Sequence, residues 1–152
     1  MRKAREFLRT PFAHQGRIKR HGIDCVGLPI LVASELGLID TSGSPFTPTM
    51  YGNYPRQPSS DIVLEACRRH LIEKKIEDMR PGDVLAILNP RWICHSAIVG
   101  EFRGALTLIQ AYGTGNIRKP APRGTEMVVE HGIDFKWRRR IRGCFSYPGV
   151  ED

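Results

Sequence analysis

The sequence predicts an α+β domain, with helices in its first half and an antiparallel sheet in its second. Three observations predict it. Two apolar-periodic segments, beginning near Cys25 and Ile62, carry helix start and stop signals. After Arg80-Pro81-Gly82-Asp83 the apolar residues fall into short runs with strand character. Helices followed by consecutive strands, rather than alternating with them, give an α+β plan. At 152 residues and 41% apolar, the chain is expected to be one domain over 1–152, with a core that needs no staples.

The elements follow in order. Residues 2–9 read as a short helix with Ala4, Phe7 and Leu8 on one side, closed by Thr10-Pro11. Residues 12–22 read as a polar loop. Asp24 is placed to cap a helix over about 25–36, and Gly37 to stop it; Pro29 falls in the first turns, where a missing N–H is tolerated. Residues 40–58 hold Pro45, Pro48, Pro55 and Pro58 and read as a long surface loop, of a length that tends to carry function. Ser59, Ser60 and Asp61 are cap candidates for a second helix over about 62–76. Pro81 and Gly82 suit a type II turn. Strands are expected at 84–88, 92–99, 106–112, 125–130 and 140–147. A four-residue connection over 101–104 would set His95 directly opposite Gln110.

Charge and cysteine usage exclude several classes. The net charge of +7 comes largely from Arg17/Lys19/Arg20, Arg68/Arg69/Lys74/Lys75 and Lys136/Arg138/Arg139/Arg140/Arg142. Such a balance reads first as a solvated face, and otherwise attracts polyanions: nucleic acid, anionic lipid or acidic cell-wall polymers. Aromatic residues are not interleaved with these charges as a base-stacking platform requires, so nucleic acid is not the expected partner. No apolar run reaches the roughly 18 residues that span a bilayer. The charged start, residues 1–6, leads into no apolar signal segment, so synthesis in the cytoplasm without an export leader is expected. The cysteines (Cys25, Cys67, Cys94, Cys144) form no C-x-x-C pair, which argues against a zinc site.

Cys25 is the candidate nucleophile. It stands where a glycine-bearing loop enters an apolar helix, and backbone N–H groups at a helix start favour thiolate over thiol. His95 as base and Gln110 as the group orienting its ring complete the roles that a thiol nucleophile needs. Alternation puts His95, Ala97 and Val99 on one face, which is expected to pack against the Cys25 helix. Cys67, Cys94 and Cys144 read as core. His21 and His131, beside glycines, read as solvent-facing. His14 is either a loop brace or a site residue, and Asp24 is above all a cap. Tyr51 and Tyr54 pack within their own loop or line a groove.

Residues 7–16 (FLRTPFAHQG) and 22–28 (GIDCVGL) resemble the N-terminal motif of the NlpC-type cysteine peptidases, a papain-like family, and in particular its phage-tail branch. Residues 81–84 (PGDV) resemble its strand opener, 94–99 (CHSAIV) its histidine strand and 108–112 (LIQAY) its third-residue strand. Residues 137–145 (WRRRIRGCF) resemble the closing strand of the phage-type members. The resemblance implies a papain-like fold, with N-terminal helices packed on a central antiparallel sheet of about five strands. It implies a peptidase that cuts peptidoglycan stem peptides, often beside D-glutamate, with no metal or organic cofactor. It makes Cys25 the nucleophile and His95 the base, and puts Gln110 where many members have histidine. It also implies that Asp24 binds the substrate's free amine, and that His14 and the Cys25 N–H contribute to the oxyanion hole. The implied setting is a phage or phage-like tail, with tail-tip or hub proteins as partners, acting on the wall in the periplasm. The same Cys–His pair would also serve an amidase or acyltransferase, and the fold alone would serve as a non-enzymatic tail structural module.

Overall fold

The computed structural model describes residues 1–56, 60–89, 91–113 and 126–150. In chain order its elements are α1 (Arg2–Arg5), β1 (Arg17–Ile18), β2 (Gly22–Ile23), α2 (Gly27–Glu35), α3 (Ile62–His70), β3 (Ile72–Lys74), a 3-10 turn (Ile76–Asp78), β4 (Val84–Asn89), β5 (Trp92–Phe102), β6 (Ala105–Tyr112), β7 (Met127–Gly132), α4 (Phe135–Arg138) and β8 (Ile141–Ser146). Strands β3 to β8 form one antiparallel sheet in the order β3-β8-β4-β5-β6-β7, and β1 and β2 form a separate small hairpin. The sheet therefore has six strands where about five are expected from the sequence. Among the described residues no helix is long and apolar enough to cross a membrane.

The sixth strand comes out of the expected second helix. Helix α3 stops at His70, and Leu71 turns extended (φ −124°, ψ 166°). Residues 72–74 then pair along β8, Ile72 opposite Ser146 and Lys74 opposite Cys144. Pairing with a free sheet edge outweighs local helix propensity here. The first helix shortens for the same reason. After Arg5 the chain turns, with Arg9 at φ 67°, and lays its next residues along β7. The Arg9 N–H donates to the Val128 carbonyl (2.9 Å), the Val128 N–H to the Thr10 carbonyl (2.8 Å) and the Phe12 N–H to the Glu126 carbonyl (2.9 Å). The expected polar loop 12–22 contains the β1–β2 hairpin. Helix α4 is unforeseen; Asp134 caps it, its carboxylate accepting the Trp137 N–H at 2.9 Å. Strand 125–130 is observed as β7; Thr125 and the cap candidate Ser59 lie outside the described residues.

Both faces of the sheet are apolar, and they are covered differently. On one face Ile98, Ile109, Ala111 and Val128 pack with Leu28, Leu31 and Val32 of α2 and with Phe7. On the same face Val84, Ala86 and Phe145 pack with Val63, Leu64 and Cys67 of α3. On the other face Leu85, Ile87, Ala97, Val99, Leu108 and Ile141 cluster with Met79 and Trp137. The face of Ala97 and Val99 is thus not the one that meets α2, contrary to expectation. Alternation along β5 assigns residues to two faces, but where both faces are buried it does not say which one a helix covers.

The β5–β6 hairpin also differs from expectation. Phe102 pairs with Ala105, so the loop is the two residues Arg103 and Gly104. Both have positive φ (53° and 80°), the geometry whose twist matches the flanking strands. The register runs from Phe102↔Ala105 to Ile98↔Ile109, two residues from the expected one. An even slip keeps every side chain on its face. His95 and Gln110 therefore still share a face, as diagonal neighbours rather than opposed ones.

Gly104→Ala is expected to cost about 1 kcal/mol, because alanine is strained at φ 80°. Gly132→Ala, where an added Cβ meets nothing within 4 Å and φ is not positive, is expected to cost only a few tenths. Urea unfolding of the two variants measures the difference, and equal losses would contradict the turn geometry.

Candidate active site

The site is built outward from a buried carboxylate. Asp24 is 1% exposed. Its Oδ1 accepts the Gly27 N–H (2.7 Å) and Arg17 Nη1 (2.8 Å); its Oδ2 accepts the Gln15 N–H and the Tyr54 hydroxyl. A carboxylate offers about four lone-pair positions, and four internal donors fill them. Asp24 thus caps the start of α2, as its sequence position suggests, and anchors two loops to it. Arg17 carries the linkage further, donating to the carbonyls of Gly16 (2.7 Å) and Tyr51 (3.0 Å). The approach is close enough to require glycine at 27, where a Cβ would lie 2.7 Å from both Arg17 Nη1 and the Gly16 carbonyl oxygen.

Cys25 follows directly, in a turn two residues before α2. The turn is locked to β5: Ser96 Oγ donates to the Cys25 carbonyl at 2.6 Å, and the Cys25 thiol points to the Cys94 carbonyl at 3.8 Å. The backbone N–H groups of Ser96 and Val26 face the sulfur, the effect expected at a helix start. They are outweighed. Burial first, and the negative charge of Asp24 second, push the thiol up to about 12. At neutral pH Cys25 is therefore a thiol, not a thiolate.

His95 is buried on the opposite face of β5, beside Trp137 (ring centroids 6.1 Å apart). Its Nε2 meets Gln110 Oε1 at 2.5 Å. Burial lowers the imidazole to about 4; the Gln110 hydrogen bond opposes the shift and the charge of Arg140 adds to it. A β-bulge sits beside it, since Ile87 pairs with His95 and Leu88 with Ile93, leaving Cys94 as the extra residue. Bulges re-aim side chains and recur next to active sites. Cys94 is accordingly half-buried, its thiol on the Asn89 carbonyl (3.1 Å), rather than core as expected. Cys67 and Cys144 are buried.

Gln110 is wholly buried, and its Nε2 meets His131 Nε2 at 2.6 Å. His131 is expected to face solvent; instead it stands on β7 and shares this hydrogen-bonded row. The glycine at 132 suggests a loop, and the available signal was the β-branched run Val128-Val129, which His131 follows closely. His21 is exposed. His14 braces the long loop, with Nε2 3.2 Å from the Tyr54 carbonyl and its ring edge-on to the Tyr54 ring.

The structure thus joins His95 to Gln110 and seats Cys25 against Cys94 and Ser96, the residues flanking His95. It does not hydrogen-bond the thiol to the imidazole: among the described residues the thiol's partner is the Cys94 carbonyl and the ring's is Gln110. Two cavities reflect the two faces. One of about 50 Å³, lined by Val26, Phe46, Tyr51, Tyr54, Cys67 and Ser96 among others, lies beside the Cys25 turn. The other, of about 60 Å³, is lined by Asn89, His95, Tyr112, Gly113, Trp137 and Arg140. Tyr51 and Tyr54 therefore line a cavity while also tying down their own loop. Tyr51 reaches His70 (3.1 Å), whose Nδ1 reaches Asp40 (2.7 Å), and the Ser42 hydroxyl and His70 hold the Asp40 carboxyl below the usual range.

No family profile and no curated protein sequence matches the chain. Solved structures do. The NlpC/p60 domain of the peptidoglycan hydrolase SagA superposes with a TM-score of 0.55 at 18% identity, over 95% of this chain and 93% of that one. A protein similar to a lipoprotein, of the NLP/P60 family from Staphylococcus aureus, superposes with a TM-score of 0.60 at 15% identity. That match covers 100% of this chain and 40% of the staphylococcal one, so this chain spans well under half of that protein's length. At these identities the likeness is one of fold: a mixed helix and sheet domain of NlpC/p60 type.

Asp24→Ala removes one partner of a buried ion pair and three further hydrogen bonds, and is expected to cost about 3–5 kcal/mol in urea unfolding; a loss below about 1 kcal/mol, the range of surface pairs, would contradict the network. A second expectation concerns pH. His95 titrates near 4 when folded and near 6.5 when unfolded, so the unfolded chain takes up the proton first as pH falls. The stability from holding the ring neutral is full above about 6.5 and is lost as pH falls through about 4, in total on the order of 3 kcal/mol. Unfolding midpoints between pH 7 and 4 should fall less in His95→Asn than in the wild type; equal falls would contradict the burial of a neutral ring.

Proposed function

We propose that the chain is a cysteine peptidase that hydrolyses peptidoglycan stem peptides, with Cys25 as nucleophile, His95 as base and Gln110 as its orienting group. The observation that carries this reading is the His95–Gln110 hydrogen bond on the strand to which the Cys25 turn is locked, in a fold shared with NlpC/p60 domains. The net charge of +7 suits an acidic wall polymer.

Both reacting groups are neutral at rest, so proton transfer accompanies attack rather than preceding it. The Gln110 oxygen accepts the His95 Nε2 proton and leaves the lone pair on Nδ1. That nitrogen takes the thiol proton as sulfur attacks the amide carbonyl. The imidazolium then protonates the leaving amine, giving a thioacyl-enzyme, and the neutral ring afterwards activates the water that releases the acyl group. Gln110 holds the ring but carries no charge, so it stabilises the imidazolium less than a carboxylate would. Attack needs the ring to swing toward the sulfur, and the β-bulge at Cys94 lies directly beside it. Catalytic contacts commonly tighten only once substrate is bound.

The finer setting rests on the likeness of residues 137–145 to a phage-type closing strand. We place the chain in a phage or phage-like tail, beside tail-tip or hub proteins, made in the cytoplasm and delivered to the wall in the periplasm. A second reading, a tail structural module without activity, is favoured by one observation: the thiol is protonated and not bonded to the imidazole.

Digestion of purified muropeptides, read by mass spectrometry, decides between them. Wild type is expected to release cleaved stem peptides. Cys25→Ala is expected to release none, and His95→Ala to be slower by roughly a thousandfold or more. A folded wild-type chain that leaves muropeptides intact would support the structural module instead.

A further inference from the structure

Three polar side chains run in a row across β5, β6 and β7, on the face that Trp137 covers. His95 Nε2 meets Gln110 Oε1 (2.5 Å), Gln110 Nε2 meets His131 Nε2 (2.6 Å), and His131 Nδ1 meets the Gly132 carbonyl (2.8 Å). Trp137 packs on both imidazoles, at 6.1 and 5.4 Å between centroids. The chemistry of these atoms fixes every proton in the row. A carbonyl oxygen only accepts, so His131 Nδ1 carries a hydrogen. Neutral His131 then has its lone pair on Nε2 and accepts from the Gln110 amide. This turns the Gln110 oxygen toward His95, which must donate from Nε2. Gln110 is fully buried, so neither of its polar atoms can be left unmatched at low cost.

We propose that His131 is a positioning residue for His95: acting through Gln110, it selects which ring nitrogen of His95 holds the lone pair, and proton uptake by His131 reverses the selection. A protonated His131 donates from both nitrogens. Gln110 then turns its oxygen to His131 and its NH₂ to His95. His95 Nε2 has to accept, so its proton leaves to solvent and another enters at Nδ1. The row as a whole gains one proton, the one on His131. In that state the only lone pair of His95 is tied to Gln110, and none remains for a thiol proton. His131 is the partner placed to respond, being half-buried where His95 is 6% exposed. The titratable and charged groups that face it are His95 from β5 and, across the Trp137 ring, Tyr112 from β6 and Arg140 after α4. Glu130, its neighbour on β7, alternates to the other face, where Arg5 and Thr107 hold it.

The link to catalysis rests on the reading of His95 as base; the tautomer coupling itself does not. The test is therefore spectroscopic first. In the full chain with ¹⁵N-labelled histidine, NMR is expected to find His95 protonated at Nε2 at alkaline pH. It should convert to the Nδ1–H form along the same curve on which His131 titrates. His131→Gln can still pair with Gln110 but does not titrate, so it is expected to make the His95 tautomer independent of pH over the range in which the wild type converts. A wild-type His95 tautomer that stays constant while His131 titrates would overturn the proposal, whether or not any variant folds. In the muropeptide assay the acid limb of kcat/KM should follow His131 in the wild type and move to lower pH in His131→Gln. His131→Leu, with no acceptor, should lose roughly tenfold in kcat/KM at neutral pH, in kcat rather than KM. An inactive chain that still shows the tautomer switch would refute the peptidase reading and leave this coupling standing.

Discussion

The buried carboxylate of Asp24 is the constraint on which the site depends. An uncompensated charge in the interior costs several kcal/mol, so the fold must bring it partners. It does so from three directions: the Gln15 N–H and Arg17 from the first loop, the Tyr54 hydroxyl from the long loop, and the Gly27 N–H at the start of α2. These contacts fix the turn that holds the next residue, Cys25, and Ser96 then fastens that turn to β5. The fold delivers the cysteine to the strand of the histidine because a neighbouring charge had to be satisfied.

The electrostatics of the site run against the simplest expectation for a cysteine at a helix start. Backbone N–H groups do face the sulfur, but burial and the adjacent carboxylate favour the thiol more strongly. His95 is likewise held neutral by burial, and its orienting partner is an amide. A neutral thiol and a neutral imidazole thus stand on the two sides of one strand, with the bulge at Cys94 and the hydrogen-bonded row behind His95 beside the ring.

Much of this is legible in the sequence, and what is not has identifiable causes. Strands β4, β5, β6 and β8 follow from short apolar runs and the Pro81-Gly82 turn, where Gly82 adopts φ 104° as a type II turn requires. The Asp24 cap and the Gly37 stop of α2 are also readable, Gly37 at φ 66°. Strand β3 and the shortening of α1 are not, because both arise from pairing with sheet edges that local sequence does not reveal. The side of β5 that meets α2 is hidden because both faces are apolar, with Ile98 on one and Val99 on the other. The partnership of His131 with Gln110 is hidden because it depends on a register between β6 and β7 that no turn signal sets.

Covalent capture of the substrate tests Cys25 as nucleophile. Wild-type chain reacting with a stem peptide, quenched in acid and weighed intact, is expected to carry an acyl group that peptide mapping places on Cys25. Cleavage of the peptide with no adduct on Cys25, and undiminished in a chain lacking that thiol, would contradict a thioacyl mechanism at this site.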